Sequence, residues 1–308
     1  PKVFLEDFKK IAGSINNIKL KPKIVVSDNK EFDLFFKFWI SLNKSKRIKF
    51  VRSDHGGSYM SNLDDMTHED YSNYSLRWFK YKPKNSIQLP ILNNLKKRTH
   101  PKNRTKVLII THSVDKYPHH VLWSPIGKEI FFQSKSLYDF TKQIKPEIKK
   151  NLYIKSYPDE PSEVSMYYQE WSCYKDFKKI FSKKKIITDQ KKFKEIFSIS
   201  KINICLYPQT AFIESILSGP TILILHKNFY RIRPEFEKIH KELEKAKIIF
   251  RNGFDACHHI NKIWNNIDEW WQDEKVMKTR KTFEELTSKN LSEKETIKEW
   301  MKFFRKIY

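Results

Sequence analysis

Two short stretches combine residue types able to do group-transfer chemistry with a backbone that can approach a substrate. The first is Asp54-His55-Gly56-Gly57, directly after the β-branched run 47–51. An imidazole followed by two residues without Cβ puts a titratable nitrogen and two unobstructed amides at the end of a strand, the edge at which open parallel α/β sheets take ligands. His55 is therefore read as a general base or a donor to phosphate, with the Gly56 and Gly57 amides close to substrate. The second is Tyr207-Pro208-Gln209-Thr210-Ala211-Phe212-Ile213-Glu214, entered from the run 202–207 and closed by Gly219-Pro220. Gln209 or Thr210 stands at a helix N-terminus, a hydroxyl-capped tip whose amides and dipole attract phosphate. Glu214 lies one turn deeper on the same face, where a carboxylate accepts hydrogen bonds from ribose hydroxyls. A plain tight turn and a plain capped helix are the competing explanations at these two places.

Further candidates sit at matching positions. His112 and Ser113 follow the run 106–111, and Lys155 and Tyr157 lie on or just after 152–157, where a cation would offset phosphate charge. Arg231 and Arg233 follow the run 221–226 and offer planar forks suited to phosphate or carboxylate. His258 and His259 are neighbours on a helical pattern and point apart, so they are not expected to chelate a metal, and no cofactor is expected. Cys173, Cys205 and Cys257 form no CxxC spacing and read as buried thiols of a reducing cytoplasm.

The elements that must position these residues come from alternation of short β-branched runs with helical patterns, which marks an α/β fold with parallel sheets. Strands are predicted at 23–27, 47–51, 106–111, 152–157, 202–207, 221–226 and 247–250. Between the first two, the stretch 31–44 is predicted as a helix with Phe32, Phe35, Phe36 and Trp39 on its core face. A linker is predicted at 83–105, where Pro, Asn and Lys replace periodic apolar spacing. It separates a partial N-terminal lobe, 1–82, from a complete parallel-sheet domain, 106–290, and an amphipathic helix closes the chain within 291–308. Only six glycines occur, Gly13, Gly56, Gly57, Gly127, Gly219 and Gly253, and such scarcity predicts that they stand where positive φ or close backbone approach requires them.

Of 308 residues, 60 are Lys or Arg against 36 Asp or Glu, a formal charge of +24. That excess suits polyanions, but the basic residues are dispersed, and Lys, Ile, Asn and Phe rise together as an AT-rich coding sequence makes them. No recognised nucleic-acid module accompanies the charge, so nucleic acid is not an expected partner. No run approaches a membrane span and no signal peptide opens the chain, so a cytoplasmic protein is expected. Residue 1 is Pro and an element is already under way, which reads as a piece of a longer polypeptide.

These motifs are joined by Tyr157-Pro158, by Phe229-Tyr230-Arg231-Ile232-Arg233, and by the aromatic-rich stretch 258–271 with Arg280 and Phe283 beyond it. On them the chain resembles, over nearly its whole length, bacterial transferases of surface-polysaccharide and lipopolysaccharide gene clusters with a GT-B-like fold. The resemblance implies a Rossmann-like C-terminal domain that binds a nucleotide-sugar donor through Gln209, Thr210 and Glu214 with help from Arg233. It also implies a partial N-terminal Rossmann-like lobe, on the acceptor side, that supplies His55. The acceptor would be a glycan or a lipid-linked group, the reaction metal-independent, and peripheral contact with the anionic inner face of the plasma membrane is compatible with it. Family members carry glycines where this sequence has Ser58 and Met60, and they are longer at the N-terminus. The His-Gly-Gly turn is also similar to the histidine-glycine motif of polyol-phosphate polymerases that use CDP-activated donors. A CDP-polyol phosphotransferase is therefore one rival reading, and a non-enzymatic basic polyanion-binding protein another.

Overall fold

The computed structural model of the protein describes residues 6–17, 22–28, 34–43, 48–54, 56–57, 72–80, 85–91, 101–111, 129–155, 179–230, 232–289 and 291–308. The chain divides into two units: Pro1–Gly57 with Leu63–Leu92 and Glu285–Tyr308, and Ser58–Asn62 with Asn93–Glu284.

In the first unit, β1 (Ile24–Ser27), β2 (Lys49–Ser53), β3 (Tyr74–Arg77) and β4 (Ser86–Gln88) pair in parallel in the order β1-β2-β3-β4. The strands β3 and β4 were not legible: YSLR and SIQ are short and half polar, and β4 falls inside the stretch expected to be a linker. Ile15 of α1 (Phe8–Asn16) packs with Phe38, Trp39 and Ile40 of α2 (Leu34–Asn43) and with Phe50 of β2. The core face of α2 is thus rotated from the expected one. Trp39 and Phe36 keep to it, whereas Phe35 is 46% exposed because the stripe that meets β2 runs through Phe36, Trp39 and Ile40; Phe32 lies outside the described residues.

The second unit is built on β5 (Lys106–Ile110), β6 (Leu152–Lys155), β7 (Ile186–Ile187), β8 (Ser200–Cys205), β9 (Thr221–Ile224) and β10 (Ile249–Phe250). They are all parallel, in the order β10-β9-β8-β5-β6-β7. Counted along the chain within this unit the order is 6-5-4-1-2-3, that of the doubly wound dinucleotide-binding sheet. Val107, Ile109, Ile154, Ile202, Ile204, Ile222 and Ile224 are fully buried, as strands covered on both faces must be.

Helices α3 (Ile130–Gln143), α4 (Pro146–Lys149), α5 (Gln190–Ser198), α6 (Thr210–Ser218), α7 (Pro234–Lys245), α8 (Gly253–Ile263), α9 (Ile267–Gln272) and α10 (Glu274–Thr287) complete this part of the chain. Two glycines act as their scarcity suggested. Gly219 ends α6 at φ 152°, and a Cβ on Gly253 would stand 1.8 Å from the Ser136 carbonyl oxygen, so its absence lets α8 lie against α3. Gly13 does not follow that pattern, for nothing lies within 4 Å of where its Cβ would be. The expected strand 247–250 is shorter because Lys247 closes α7 with φ 59°, while the Ile248 amide donates back to the Leu243 carbonyl at 2.9 Å.

The final helix, α11 (Glu293–Ile307), starts at a capping box in which Ser292 and Glu295 satisfy each other's backbone amides. The Ser292 hydroxyl and amide bonds hold the Glu295 carboxyl below its ordinary range. Phe303 and Ile307 of α11 pack on Val51 and Leu76 of the first sheet and on Leu89 just after β4, and the Trp300 indole donates to the Pro90 carbonyl at 2.9 Å. Among the described residues no helix is long and apolar enough to cross a membrane.

Candidate functional site

The carboxyl end of β2 is fixed by a buried ion cluster. Asp54 Oδ1 accepts from Arg77 Nη1 at 2.7 Å and stands 3.7 Å from Arg52 Nη1, while Asp54 Oδ2 accepts from the Trp78 amide at 3.0 Å. The Asp54 amide in turn donates to the Leu76 carbonyl at 2.9 Å. The Arg77 side chain is fully buried and those of Arg52 and Asp54 nearly so. Asp54 is thus tied through its amide and both carboxylate oxygens, so the backbone at residue 54 is held at a defined point of the sheet edge. Gly56 and Gly57 follow, the first half-buried and the second buried, and His55 itself lies outside the described residues. Sequence reasoning passed over the cluster, although Arg52 and Asp54 are two apart on a strand and hence on one side of it, a visible signal for a charge pair.

In the second unit the strand order reverses between β5 and β8, and the carboxyl ends of those two strands border the crevice where such sheets bind ligands. The Leu206 amide donates to Ile110 O at 3.0 Å, which sets the two strand ends side by side. On the far side of β5, Thr111 donates through its hydroxyl to the Lys155 carbonyl at 2.7 Å. Lys155 ends β6 at this same edge and is buried. Neighbouring strands are about 5 Å apart, so it stands roughly 10 Å from the end of β8.

Five residues beyond Cys205, α6 begins. Gln209 is its N-cap and Thr210 the first helical residue, which corrects the expectation of a hydroxyl cap, and the Gln209 side chain makes no capping bond. Gln is one methylene longer than Asn, and the Gln209 amide instead reaches Tyr230, donating to its hydroxyl at 2.6 Å. The helix's own bonds start with the Phe212 and Ile213 amides, which donate to Gln209 O at 2.9 and 3.2 Å, so the Thr210 and Ala211 amides precede them. Phe212, Ile213 and Ile216 face the core, and Glu214 is half-buried one turn in from the tip. Tyr230, buried, is the residue that sequence reasoning left without a role here. It also borders a cavity of about 680 Å³ with Ile232, His240, Lys241, Glu244 and Arg251.

Arg233 is the N-cap of α7, extended before Pro234, and half-buried. His112, Ser113, Tyr157 and Arg231 lie outside the described residues, as does Cys173. Cys205 and Cys257 are buried, and burial pushes the Cys257 thiol up to about 11. His259 is packed between the Phe250 and Trp270 rings, at 5.3 and 5.1 Å, rather than poised to bind an ion with His258. Among the described residues no three His, Cys, Asp or Glu side chains are grouped to hold a metal.

A parallel sheet of order 3-2-1-4-5-6 with a helix beginning at its switch point defines a doubly wound α/β unit. The chain belongs to the LIC12162 family of transferases, whose model matches residues 1–304. No curated protein matches it in sequence. Among solved structures it is similar to MurG of Acinetobacter baumannii, at 9% identity and a TM-score of 0.49 over 90% of this chain and 74% of that one. It is also similar to the wall teichoic acid polymerase TagF, at 10% identity and a TM-score of 0.46 over 92% and 72%. The lipopolysaccharide outer core galactosyltransferase WaaB matches at 12% identity and a TM-score of 0.44 over 92% and 82%.

Proposed function

We propose that this transferase is a GT-B-type glycosyltransferase that moves a nucleotide-activated sugar onto a cell-surface glycan or a lipid-linked acceptor. The observation that carries the reading is the start of α6, which follows β8 at the switch point with Thr210 as its first residue and with Glu214 one turn inward. The leading amides and the helix dipole suit a nucleotide phosphate, and the Glu214 carboxylate suits ribose hydroxyls. Lys155, with Arg233, would offset further phosphate charge. His55 takes the proton of the acceptor hydroxyl as its oxygen bonds to the sugar carbon, while the sugar–phosphate bond breaks and the departing phosphate gathers charge at the helix tip. Gly56 and Gly57 keep the backbone beside His55 narrow enough for an acceptor to approach. Peripheral contact with an anionic membrane fits a lipid-linked acceptor.

The test is a thermal-shift panel of CMP, CDP, UDP and GDP, since a ligand at a hundredfold its Kd adds roughly 2.7 kcal/mol. One nucleotide is expected to raise Tm, and Glu214→Ala to remove that shift. His55→Ala is expected to keep the shift and lose turnover. A panel without any response, or a Glu214→Ala variant that binds as the parent does, overturns the reading; a response confined to CMP and CDP would favour the phosphotransferase rival.

A further inference from the structure

One face of the second unit presents aromatic rings to solvent in a pattern that the nucleotide site does not use. Phe131, Tyr138 and Phe254 are 57%, 53% and 40% exposed. On α3, Phe131, Lys135, Tyr138 and Lys142 fall at i, i+4, i+7 and i+11, a single stripe of the helix. The opposite side of α3 is core, with Gln133, Leu137 and Phe140 buried, so these rings are not core residues slightly displaced. Phe254, near the start of α8, joins the stripe because Lys135 Nζ lies 5.8 Å from its ring centroid. Lys142 Nζ lies 6.0 Å from the Tyr138 ring. Lys135 bonds Asp139 at 2.7 Å, yet the Asp139 side chain is 10% exposed against 68% for Lys135, so the surface shows the ammonium and not the carboxylate.

Rings alternating with ammonium groups are chemically suited to a bilayer surface. The rings settle at the headgroup boundary, and the long lysine stems let the charges reach lipid phosphates. The centre of a protein–protein interface, by contrast, is depleted in lysine. The formal charge of +24 adds attraction to an anionic leaflet. We propose that the α3–α8 face docks on a bilayer containing anionic lipid, with Phe131, Tyr138 and Phe254 entering the headgroup region and Lys135 and Lys142 on lipid phosphates. This deepens the peripheral-membrane part of the function proposed above, and it is separable from nucleotide binding.

Co-sedimentation of the full chain with phosphatidylcholine vesicles holding about one third phosphatidylglycerol tests it, with pure phosphatidylcholine as the comparison. Phe131→Ser with Tyr138→Ser leaves the formal charge unchanged, so long-range attraction stays constant. That double variant is expected to bind the anionic vesicles about tenfold more weakly or worse, from lost apolar burial. Ile297→Ser with Met301→Ser, two exposed apolar residues of α11, is expected to bind as the parent does. Unchanged binding of the aromatic variant overturns the proposal, as does an equal loss in the α11 control. Conversion of a dimeric parent to a monomer by the aromatic variant also overturns it, assigning the face to a second copy. The nucleotide-induced Tm shift is read in each variant: its retention with vesicle binding lost is the expected pattern, and its absence in the parent bears on the donor reading alone.

Discussion

Phe283 of α10 lies against Phe212 of α6 with ring centroids 5.4 Å apart, both rings fully buried. The helix whose tip is proposed to take phosphate is therefore held from behind by a segment some seventy residues further on. That segment is itself tied down: the Arg280 guanidinium lies 4.0 Å from the Trp271 ring centroid and donates to the Trp271 carbonyl at 3.0 Å, and the Trp270 indole donates to Ala246 O at 3.2 Å. Phe283→Ala should leave a void under α6, costing about 3–5 kcal/mol and weakening nucleotide binding. Urea unfolding with the nucleotide panel checks it, and an unmoved midpoint would show that the contact is dispensable.

The Asp54 cluster predicts a second, independent loss. Asp54→Asn keeps the shape and an acceptor for the Trp78 amide but leaves the buried Arg52 and Arg77 without their shared carboxylate. A cost of about 3–5 kcal/mol is expected in chemical denaturation. A change under about 1 kcal/mol would mean that the pairing adds little beyond an exposed salt bridge.

Two histidines predict how stability responds to acid. Burial, with the nearby Arg251 charge, lowers His240 to about 3, and burial with Lys247 lowers His259 to about 4. Below about pH 6.5 the unfolded chain binds protons that the folded chain refuses, so stability is complete above that pH and declines as pH falls towards 4, by roughly 1 kcal/mol per pH unit for each group. Tm measured from pH 7.5 to 4.5 should fall, and His240→Leu with His259→Phe should flatten the slope; an equal slope in that variant would place the acid sensitivity elsewhere.

Backbone geometry predicts two opposite outcomes. Lys247 at φ 59° occupies a position that glycine fills without strain, so Lys247→Gly should raise stability by about 1 kcal/mol. Gly253→Ala should lower it by about 3 kcal/mol or more, because a methyl group 1.8 Å from the Ser136 carbonyl forces α8 away from α3. Paired thermal melts decide both.

Much of the second unit was legible because its strands are buried over most of their length and carry β-branched apolar residues, as at 106–110, 200–205 and 221–224. What escaped were strands too short or too polar to carry a period, β3, β4 and the two-residue β7. The start of α6 could be read from Pro-Gln-Thr and its end from Gly219-Pro220. Its cap could not, because the fate of Gln209 depends on Tyr230, twenty-one positions away and brought near only by folding. The spacing of Arg52 and Asp54 was open to reading, but their partner Arg77 was not, since it stands on the next strand.

The packing of α11 on the first sheet has a consequence for assembly. The Trp300 indole meets Pro90 across 210 positions of sequence, and Val51, Leu76 and Leu89 share a cluster with Phe303 and Ile307. Until that distant helix has been synthesised, the sheet has an uncovered greasy side, whereas the strands of the second unit lie together in one continuous stretch of chain. Closing so long a loop is slow relative to local structure. The first unit should therefore be the last to mature and the one most dependent on protection while the ribosome is still at work.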